Sequence, residues 1–133
     1  MTKTFDLKAL GHKAGASRRL ETFPSVGEGI TVHMHCTEFT CRCPVTNQPD
    51  WATIDVTYSA DKKILESKSM KLYLETYREE GIFHEHLVKQ VLDDVVAALE
   101  PLECTVKVTF NVRGGIAIDA TAHYTKAQST TMA

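Results

Sequence analysis

The order of hydrophobic periodicities along the chain constrains its fold more than any other feature of the sequence. Apolar and polar residues alternate from Thr31 to Thr37 and again from Ala52 to Tyr58, a pattern typical of half-buried strands. Two helical patterns follow, and two more alternating segments come after them. We therefore predict an α+β domain with the order ββααββ, in which two helices cover one face of a four-stranded antiparallel sheet.

Glycine and proline mark the ends of the predicted helices and the last turn. Gly81 supplies a stop for the first helix, and Pro101 ends the second. Arg113-Gly114-Gly115 predicts a hairpin turn between the last two strands, because glycine readily adopts positive φ. The apolar positions at helical spacing are Met70, Tyr73, Leu74 and Tyr77 in the first helix, and Leu87, Val88, Val91, Leu92, Val95 and Leu99 in the second.

The same patterns divide the 133 residues into three segments. Residues 1–30 contain glycines and a proline without sustained periodicity, and predict an irregular arm packed over the domain. Residues 31–125 form a single folded domain, and residues 126–133 are small and polar, as expected of a flexible tail. Four antiparallel strands leave exposed sheet edges, so we also predict a homo-oligomer, in which strands of neighbouring subunits pair.

Composition excludes several classes of function. The net charge of −2 argues against nucleic acid as the main partner, since proteins that neutralise phosphates are normally basic. No apolar run approaches the length of about 18 residues expected of a membrane span. The N-terminus lacks the apolar core of a signal peptide, so we expect a cytoplasmic protein with its four cysteines reduced.

We predict no metal site and no Rossmann cofactor fingerprint. The cysteines form no Cys-x-x-Cys pair, and His33 and His35 are interpreted as solvent-facing strand residues because no third ligand has suitable spacing. Gly27-Glu28-Gly29 begins like a dinucleotide fingerprint, but Val32 stands where the third glycine is needed and no strand precedes it.

Candidate chemistry begins in the loop from Cys41 to Asp50, which contains Cys43-Pro44 and Pro49. The prolines predict a rigid loop between two strands, where reactive side chains are often held. Asp50 can turn back toward Cys43, and the pair would provide a nucleophile and a proton carrier for covalent catalysis. The alternative is a structural turn with incidental thiols.

A second candidate is the segment from Glu66 to Tyr73. Ser67 or Ser69 could cap the first helix. Lys68 and Lys71 share a helix face, so this helix start could hold phosphate groups through charge, hydroxyls and free N–H groups. A solvated charged face with a cap explains the same residues equally well.

The third candidate is Phe83-His84-Glu85-His86 at the start of the second helix. It is not a zinc-protease motif, because Val88 occupies the position of the second helical ligand. A buried Glu85 would match the paired donors of a guanine-like base, and His84 could orient a ligand or pass a proton. A glutamate at a helix N-terminus is also favourable electrostatics in its own right.

Together these segments resemble the QueF family of NADPH-dependent 7-cyano-7-deazaguanine reductases. Glu66-Ser67-Lys68-Ser69-Met70-Lys71-Leu72-Tyr73 is similar to the family's signature, and the resemblance runs from about Leu20 to Tyr124. The length of the chain resembles the short, single-unit members. The other matching motifs are Phe39 with Cys43-Pro44 and Asp50, Phe83-His84-Glu85, Leu20-Glu21-Thr22-Phe23, and Arg113-Gly114-Gly115-Ile116.

The resemblance implies the tunnelling fold (T-fold), in which subunits assemble into an oligomeric barrel with sites between subunits. Residues 31–125 would be its catalytic domain. The implied reaction reduces a nitrile to a primary amine with two NADPH, on the way to queuosine in tRNA. The implied partners are the small molecule 7-cyano-7-deazaguanine and further copies of the chain, with no direct contact to nucleic acid or membrane.

The resemblance also implies roles for single residues. Cys43 would add to the nitrile to form a thioimidate, and Asp50 would protonate the nitrogen. Glu85 would hold the deazaguanine edge. The implied substrate pocket has His84 beside Glu85 and is lined by Leu65, Glu66 and Ser67, while NADPH would be held by Ser67, Lys68, Arg113 and Gly114, to which we add Lys71.

One departure and two alternatives accompany this interpretation. Cys41 stands where a serine or other small residue is expected, which places a second thiol two positions from the nucleophile. Another T-fold enzyme acting on a pterin or guanine nucleotide, such as a zinc-dependent GTP cyclohydrolase, could use Glu85 in the same way. A non-enzymatic purine-binding ring protein would bind ligand without depending on Cys43.

Overall fold

The structure is a computed structural model that describes residues 15–127. It contains six strands and two helices within those residues. Their bounds are β1 Thr22–Pro24, β2 Thr31–Arg42, β3 Pro49–Ser59, β4 Lys63–Leu65, α1 Ser67–Glu75, α2 His84–Leu99, β5 Glu103–Phe110 and β6 Asp119–Thr125.

The main sheet has the strand order β2-β3-β5-β6, and every neighbouring pair is antiparallel. These four strands and the two helices confirm the predicted ββααββ order. A second sheet pairs the short strands β1 and β4. Sequence periodicity did not predict it, because each of its strands is only three residues long.

A β-bulge in β2 determines which residues of this strand face the core. Cys36 pairs with Ile54 and Phe39 with Ala52, so two residues of β2 stand opposite the single residue between those partners on β3. The bulge shifts the alternation by one residue. As a result Phe39 is buried against the helices, whereas an unbroken alternation would have turned it toward the other face.

The two faces of the main sheet differ in chemistry. One face packs against the helices and forms a continuous core that includes Ile54, Val56, Val106 and Val108. Cys104 lies in this core, as predicted. Side chains on the opposite face are polar and face water, among them His33, His35, Thr53, Asp55, Thr57, Thr105, Lys107, Thr121 and His123.

A hydrogen-bonded network of buried tyrosines joins the two helices. The Tyr73 hydroxyl on α1 donates to Asp94 Oδ2 on α2 at 2.5 Å and lies 2.8 Å from the Tyr77 hydroxyl. Burial is the main cause of the raised pKa of Tyr73, so this hydroxyl keeps its proton and remains a donor. The guanidinium of Arg18 lies 3.9 Å from the centre of the Tyr77 ring and pairs with Glu80.

Arg18 belongs to the segment predicted as an arm. Contacts of several residues hold positions 15–24 of this segment against the domain. The Ser17 N–H donates to Leu72 O, and the Glu66 N–H donates to Glu21 O. The remaining part of the predicted arm, residues 1–14, lies outside the described residues. No helix of residues 15–127 is long and apolar enough to cross a membrane.

The C-terminal end of the domain is held in a similar way. Lys126, the first residue of the predicted tail, donates through its N–H to Leu102 O and through Nζ to Asp61 Oδ2 at 2.7 Å. The hydrogen bond to Asp61 raises the pKa of Lys126. Residues 128–133 lie outside the described part of the chain, so the prediction of a flexible tail stays a prediction for them.

The predicted hairpin turn is present at Arg113–Ile116. Gly114 and Gly115 have φ values of 57° and 76°, and the N–H groups of Arg113 and Ile116 each donate to the other's carbonyl. The strand after the turn starts later than the alternation indicated. Ile116, the first apolar residue of that alternation, belongs to the tight turn and is exposed, so β6 begins only at Asp119.

Replacing Tyr73 by Phe tests how much the tyrosine network stabilises the domain. The change removes the donor to Asp94 at a buried site, and we expect the free energy of unfolding to fall by about 1–3 kcal/mol. Urea unfolding should show a lower midpoint with an unchanged slope. Tyr124→Phe is the matched control, since the Tyr124 hydroxyl makes no hydrogen bond within residues 15–127; equal losses in both variants would contradict the role of the network.

Candidate active site

The loop between β2 and β3 is a compact turn closed by backbone hydrogen bonds around Cys43. The Cys43 N–H donates to Gln48 O at 2.8 Å, and the Asn47 N–H donates to Cys43 O at 2.9 Å. Asn47 adopts a φ of 61°, a left-handed conformation that asparagine tolerates better than most residues. These bonds close the turn and hold Cys43 at its start.

The loop also surrounds the Cys43 sulfur with hydrogen-bond donors. The pKa of Cys43 is lowered by hydrogen bonds from the Thr46 hydroxyl and from the backbone N–H groups of Thr46 and Val45. The nearby charge of Asp50 works in the opposite direction and is the smaller effect. Because the thiolate is the nucleophilic form of cysteine, this turn favours the reactive state of Cys43.

Cys41, two residues earlier, is in a different state. It is completely buried in the core, and burial is the main cause of the rise of its pKa to about 12. The thiol therefore stays protonated at neutral pH and has no access to a ligand. The two thiols differ because β2 ends at Arg42, so that Cys41 lies at a core-facing position of the strand and Cys43 lies in the turn after it.

Asp50 is a buried carboxylate at the start of β3, with only 4% of its surface exposed. A buried charge requires partners, because desolvation is costly. Arg113 from the turn before β6 donates to Asp50 Oδ1. His84 Nε2 lies 3.5 Å from Oδ2 on the other side, and Arg113 Nη2 also donates to Gln48 Oε1 at 2.7 Å.

The path of the segment between the two helices positions His84 beside Asp50. It runs beside the end of β2, where the Arg42 N–H donates to Glu80 O and the Ile82 N–H donates to Arg42 O. Gly81 allows the close approach, since a Cβ there would lie 3.0 Å from the Pro44 Cα. The His84 ring then stacks on Phe110, with centroids 3.5 Å apart and planes inclined by 11°.

The start of α1 differs from the sequence prediction in its cap. Glu66, not Ser67 or Ser69, is the N-cap, and its carboxylate accepts the N–H groups of Lys68 at 2.6 Å and Ser69 at 2.9 Å. The predicted caps were wrong because the longer glutamate side chain reaches both donors from the preceding residue. The Lys68 and Ser69 N–H groups are therefore already bonded to this carboxylate and are not available to a phosphate.

The predicted pocket residues around this cap differ in exposure. Leu65 and Glu66 are buried, and the Leu65 N–H donates to the Tyr58 hydroxyl. Ser67 is exposed at the mouth of a groove of about 830 Å³ between β2 and α1. Lys71 and Arg78 line the same groove together with Glu38 and Glu75, so two cations, two carboxylates and a hydroxyl face one concave surface.

The structure thus places the sequence-predicted residues in two groups. Cys43, Asp50, His84 and Arg113 come together at one end of the main sheet, with Gly114 in the adjoining turn. Ser67 and Lys71 line the groove at α1, whose lining includes none of the first group. Glu85 is exposed on the first turn of α2, so the burial that base recognition requires is not provided by residues 15–127 of a single chain.

Two further features of the first group are not predicted by the sequence motifs. Thr46 and Gln48 were not singled out, although one supports the Cys43 sulfur and the other holds Arg113. Exposed apolar side chains also lie close to members of the group along the chain, and these are Val45, Trp51, Phe83, Val112 and Ile116. Each of them lies within three residues of a member of the group in sequence, which is the only signal that could have indicated them.

Comparison with known proteins assigns the family. A family model described as QueF-like protein matches residues 49–129, more than half of the chain. The matched region includes Asp50, the α1 signature, His84, Glu85 and the Arg113 turn. The chain therefore belongs to the QueF family.

Curated relatives cover nearly all of the chain. It is 56% identical over 119 residues to the NADPH-dependent 7-cyano-7-deazaguanine reductase of Frankia casuarinae, covering 89% of this chain and 95% of the relative. It is 53% identical over 122 residues to the reductase of the same name from Syntrophus aciditrophicus, covering 90% and 87%. In overall fold it is similar to the crystal structure of the archaeosine synthase QueF-Like in the apo form, with a TM-score of 0.64 at 22% identity, covering 74% of this chain and 94% of that one.

Thr46→Val tests whether the loop favours the thiolate of Cys43. Valine keeps the shape of threonine and removes the hydroxyl donor, so the pKa of Cys43 should rise and alkylation by iodoacetamide at neutral pH should slow. Above both pKa values the rates of variant and parent should converge. Mass spectrometry would assign the alkylated cysteine, and Thr121→Val, an exposed threonine on β6, is the control. Identical pH profiles for Thr46→Val and the parent would contradict the donor role.

Proposed function

We propose that this protein is an NADPH-dependent nitrile reductase that converts 7-cyano-7-deazaguanine to 7-aminomethyl-7-deazaguanine, in queuosine biosynthesis. Cys43 carries this proposal, because its pKa is lowered by three donors in a rigid loop beside a buried carboxylate. That arrangement suits attack on a nitrile carbon, a soft electrophile. The activity named for relatives 56% and 53% identical to this chain supports the same reaction.

Cys43 and Asp50 would carry out the first step as a pair. The Cys43 sulfur bonds to the nitrile carbon, one π bond of the nitrile opens, and the nitrogen takes the proton that the pair holds. The result is a thioimidate on Cys43, an adduct that contains all the atoms of the thiol and the nitrile. Arg113 balances the charge of Asp50 and fixes its orientation, while Oδ2 faces His84, the second group able to move a proton at this end of the sheet.

Substrate recognition would use residues from both groups. Glu85 has two acceptor oxygens on the first turn of α2, suited to the adjacent ring N–H and amino donors of a deazaguanine. His84 is next to it, already held in place by Phe110. Ser67 would contribute its exposed hydroxyl, with buried Leu65 and Glu66 shaping the wall behind it.

The groove at α1 fits the phosphate and ribose groups of NADPH. It offers the Ser67 hydroxyl and the cations of Lys71 and Arg78 for phosphate, and the carboxylates of Glu38 and Glu75 for ribose hydroxyls. We include Lys68 on the same helix turn. Gly114 and Arg113 would approach the cofactor from the turn before β6. When bound, NADPH would supply the two hydrides of the reduction, one to the carbon bonded to Cys43 and one to the imine that remains after the C–S bond breaks and Cys43 leaves as a thiol. The four free cysteines match a reducing compartment, so we also propose a cytoplasmic location.

We also propose that the working enzyme is a closed homo-oligomer, with each site built from two copies of the chain. β2 and β6 are the edges of the main sheet, and unpaired edges favour pairing with another copy. The Cys43 group and the groove are separate in one chain, and Glu85 is exposed. A second copy would bring the two groups together and cover the exposed apolar side chains close to the Cys43 group along the chain.

Cys43→Ala, assayed by NADPH oxidation with 7-cyano-7-deazaguanine, tests the reaction and its nucleophile. The parent should consume two NADPH per nitrile, and the variant should show no turnover because no thiol can form the covalent bond. Cys41→Ala is the matched control two residues away, and it should stay active because that thiol is buried and protonated. Asp50→Asn should lower the rate by about 10²–10⁴-fold, as for loss of a proton-transfer group.

The outcomes separate the alternatives. No NADPH oxidation by the reduced, metal-free parent would refute the reductase proposal and direct attention to pterin and guanine nucleotide hydrolysis. Turnover that persists in Cys43→Ala would retain the reductase but overturn the nucleophile. Substrate binding without any turnover in parent or variant would favour a binding protein.

Mixing two inactive variants tests the shared site. Cys43→Ala disables one group, and Ser67→Glu places a negative charge and added bulk in the groove. Co-expression of the two should restore activity at roughly one quarter of the sites if each site takes one group from each of two randomly assorted copies. Each variant expressed alone is the control. An inactive mixture of well-assembled protein would show that both groups act within one chain.

A further inference from the structure

The polar face of the main sheet carries a cluster that contains no member of the Cys43 group. His33 and His35 extend from β2 on the same face, and Asp55 stands on β3 directly opposite His35. His33 Nε2 is 2.6 Å from Asp55 Oδ1, and His35 Nδ1 is 2.5 Å from the same oxygen. The three donor atoms all lie within 4.8 Å of one another.

We propose that His33, His35 and Asp55 form a surface site for a divalent transition-metal ion such as Zn²⁺, with water completing the coordination. Two imidazoles and one carboxylate make a donor set that suits zinc, nickel, copper or cobalt, whereas magnesium and calcium prefer oxygen donors alone. The third ligand comes from the neighbouring strand, so spacing along the sequence does not reveal it.

The geometry allows such an ion to enter with small movements. Ligand bonds of about 2.0–2.1 Å place the donors of a tetrahedral site roughly 3.3 Å apart, somewhat farther than the present 2.5 and 2.6 Å. The imidazoles are 53% and 56% exposed and can rotate outward without disturbing the sheet. The two strands are paired in continuous register here, before the bulge, which fixes the backbone positions of all three residues.

The site is separate from the Cys43 group. Asp50 and Asp55 lie on opposite faces of β3, because the difference between their positions along the strand is odd. A metal ion bound at Asp55 would therefore face away from the Cys43 group. His35 also lines the groove assigned to NADPH, so metal binding must be measured in the absence of nucleotide.

Metal binding to the untagged, chelator-stripped, reduced protein is the direct test. Equilibrium dialysis against Zn²⁺ should give one bound ion per chain for the parent and none for His33→Gln/His35→Gln. Asp55→Asn should bind at least tenfold more weakly. Cobalt titration should give visible bands of a nitrogen–oxygen site without thiolate charge transfer. These readouts are independent of catalysis, so they hold whether or not the reductase proposal does.

His123→Gln is the matched control. His123 is an exposed histidine on the same face of the sheet, and its ring contacts the Thr105 and Thr125 hydroxyls without any carboxylate. The His123→Gln variant should bind zinc as the parent does. Circular dichroism would confirm that all variants are folded. Absence of binding by the parent, or equal binding by parent and His33→Gln/His35→Gln, would overturn the proposal.

Discussion

The burial of Asp50 is the constraint on which the rest of the candidate site depends. A carboxylate with 4% exposure at the end of a sheet is stable only with partners, and these come from distant parts of the chain. Arg113 arrives from the turn before β6, and His84 from the start of α2. Satisfying one buried charge therefore fixes the relative positions of the β3 start, the α2 start and the final hairpin.

The fold was largely predictable from the sequence because its main elements are long and regularly patterned. Strands and helices of seven to sixteen residues carry enough positions for periods of 2 and 3.6 to be recognised. Three-residue strands such as β1 do not, and the bulge after Cys36 interrupts a period without leaving a glycine or proline as a mark. Glycine and proline did mark the turns at Gly114 and the Cys43 loop.

The candidate site was predictable only in its residue types. The motifs identified Cys43, Asp50 and His84, and the structure brings them together, but their support came from contacts between elements. Asp55 became a partner of His33 and His35 through strand register, and Glu66 became a cap through the reach of its side chain. Arg113 was expected at the cofactor; its contact with Asp50 depends on tertiary packing, which periodicity does not encode.

The contrast between Cys41 and Cys43 shows how the fold assigns reactivity to one of two neighbouring thiols. Both residues lie near Asp50, whose negative charge opposes ionisation of each. For Cys41, burial is the largest cause of the rise of the pKa to about 12, and the nearby charges of Asp50, Glu80 and Cys43 add to it. Cys43 lies beyond the last core position of β2, where the chain turns and its N–H groups become available as donors. The bulge places Cys41 in the core, and the end of β2 at Arg42 leaves Cys43 in the turn, so strand register and strand length together separate a buried thiol from the proposed nucleophile.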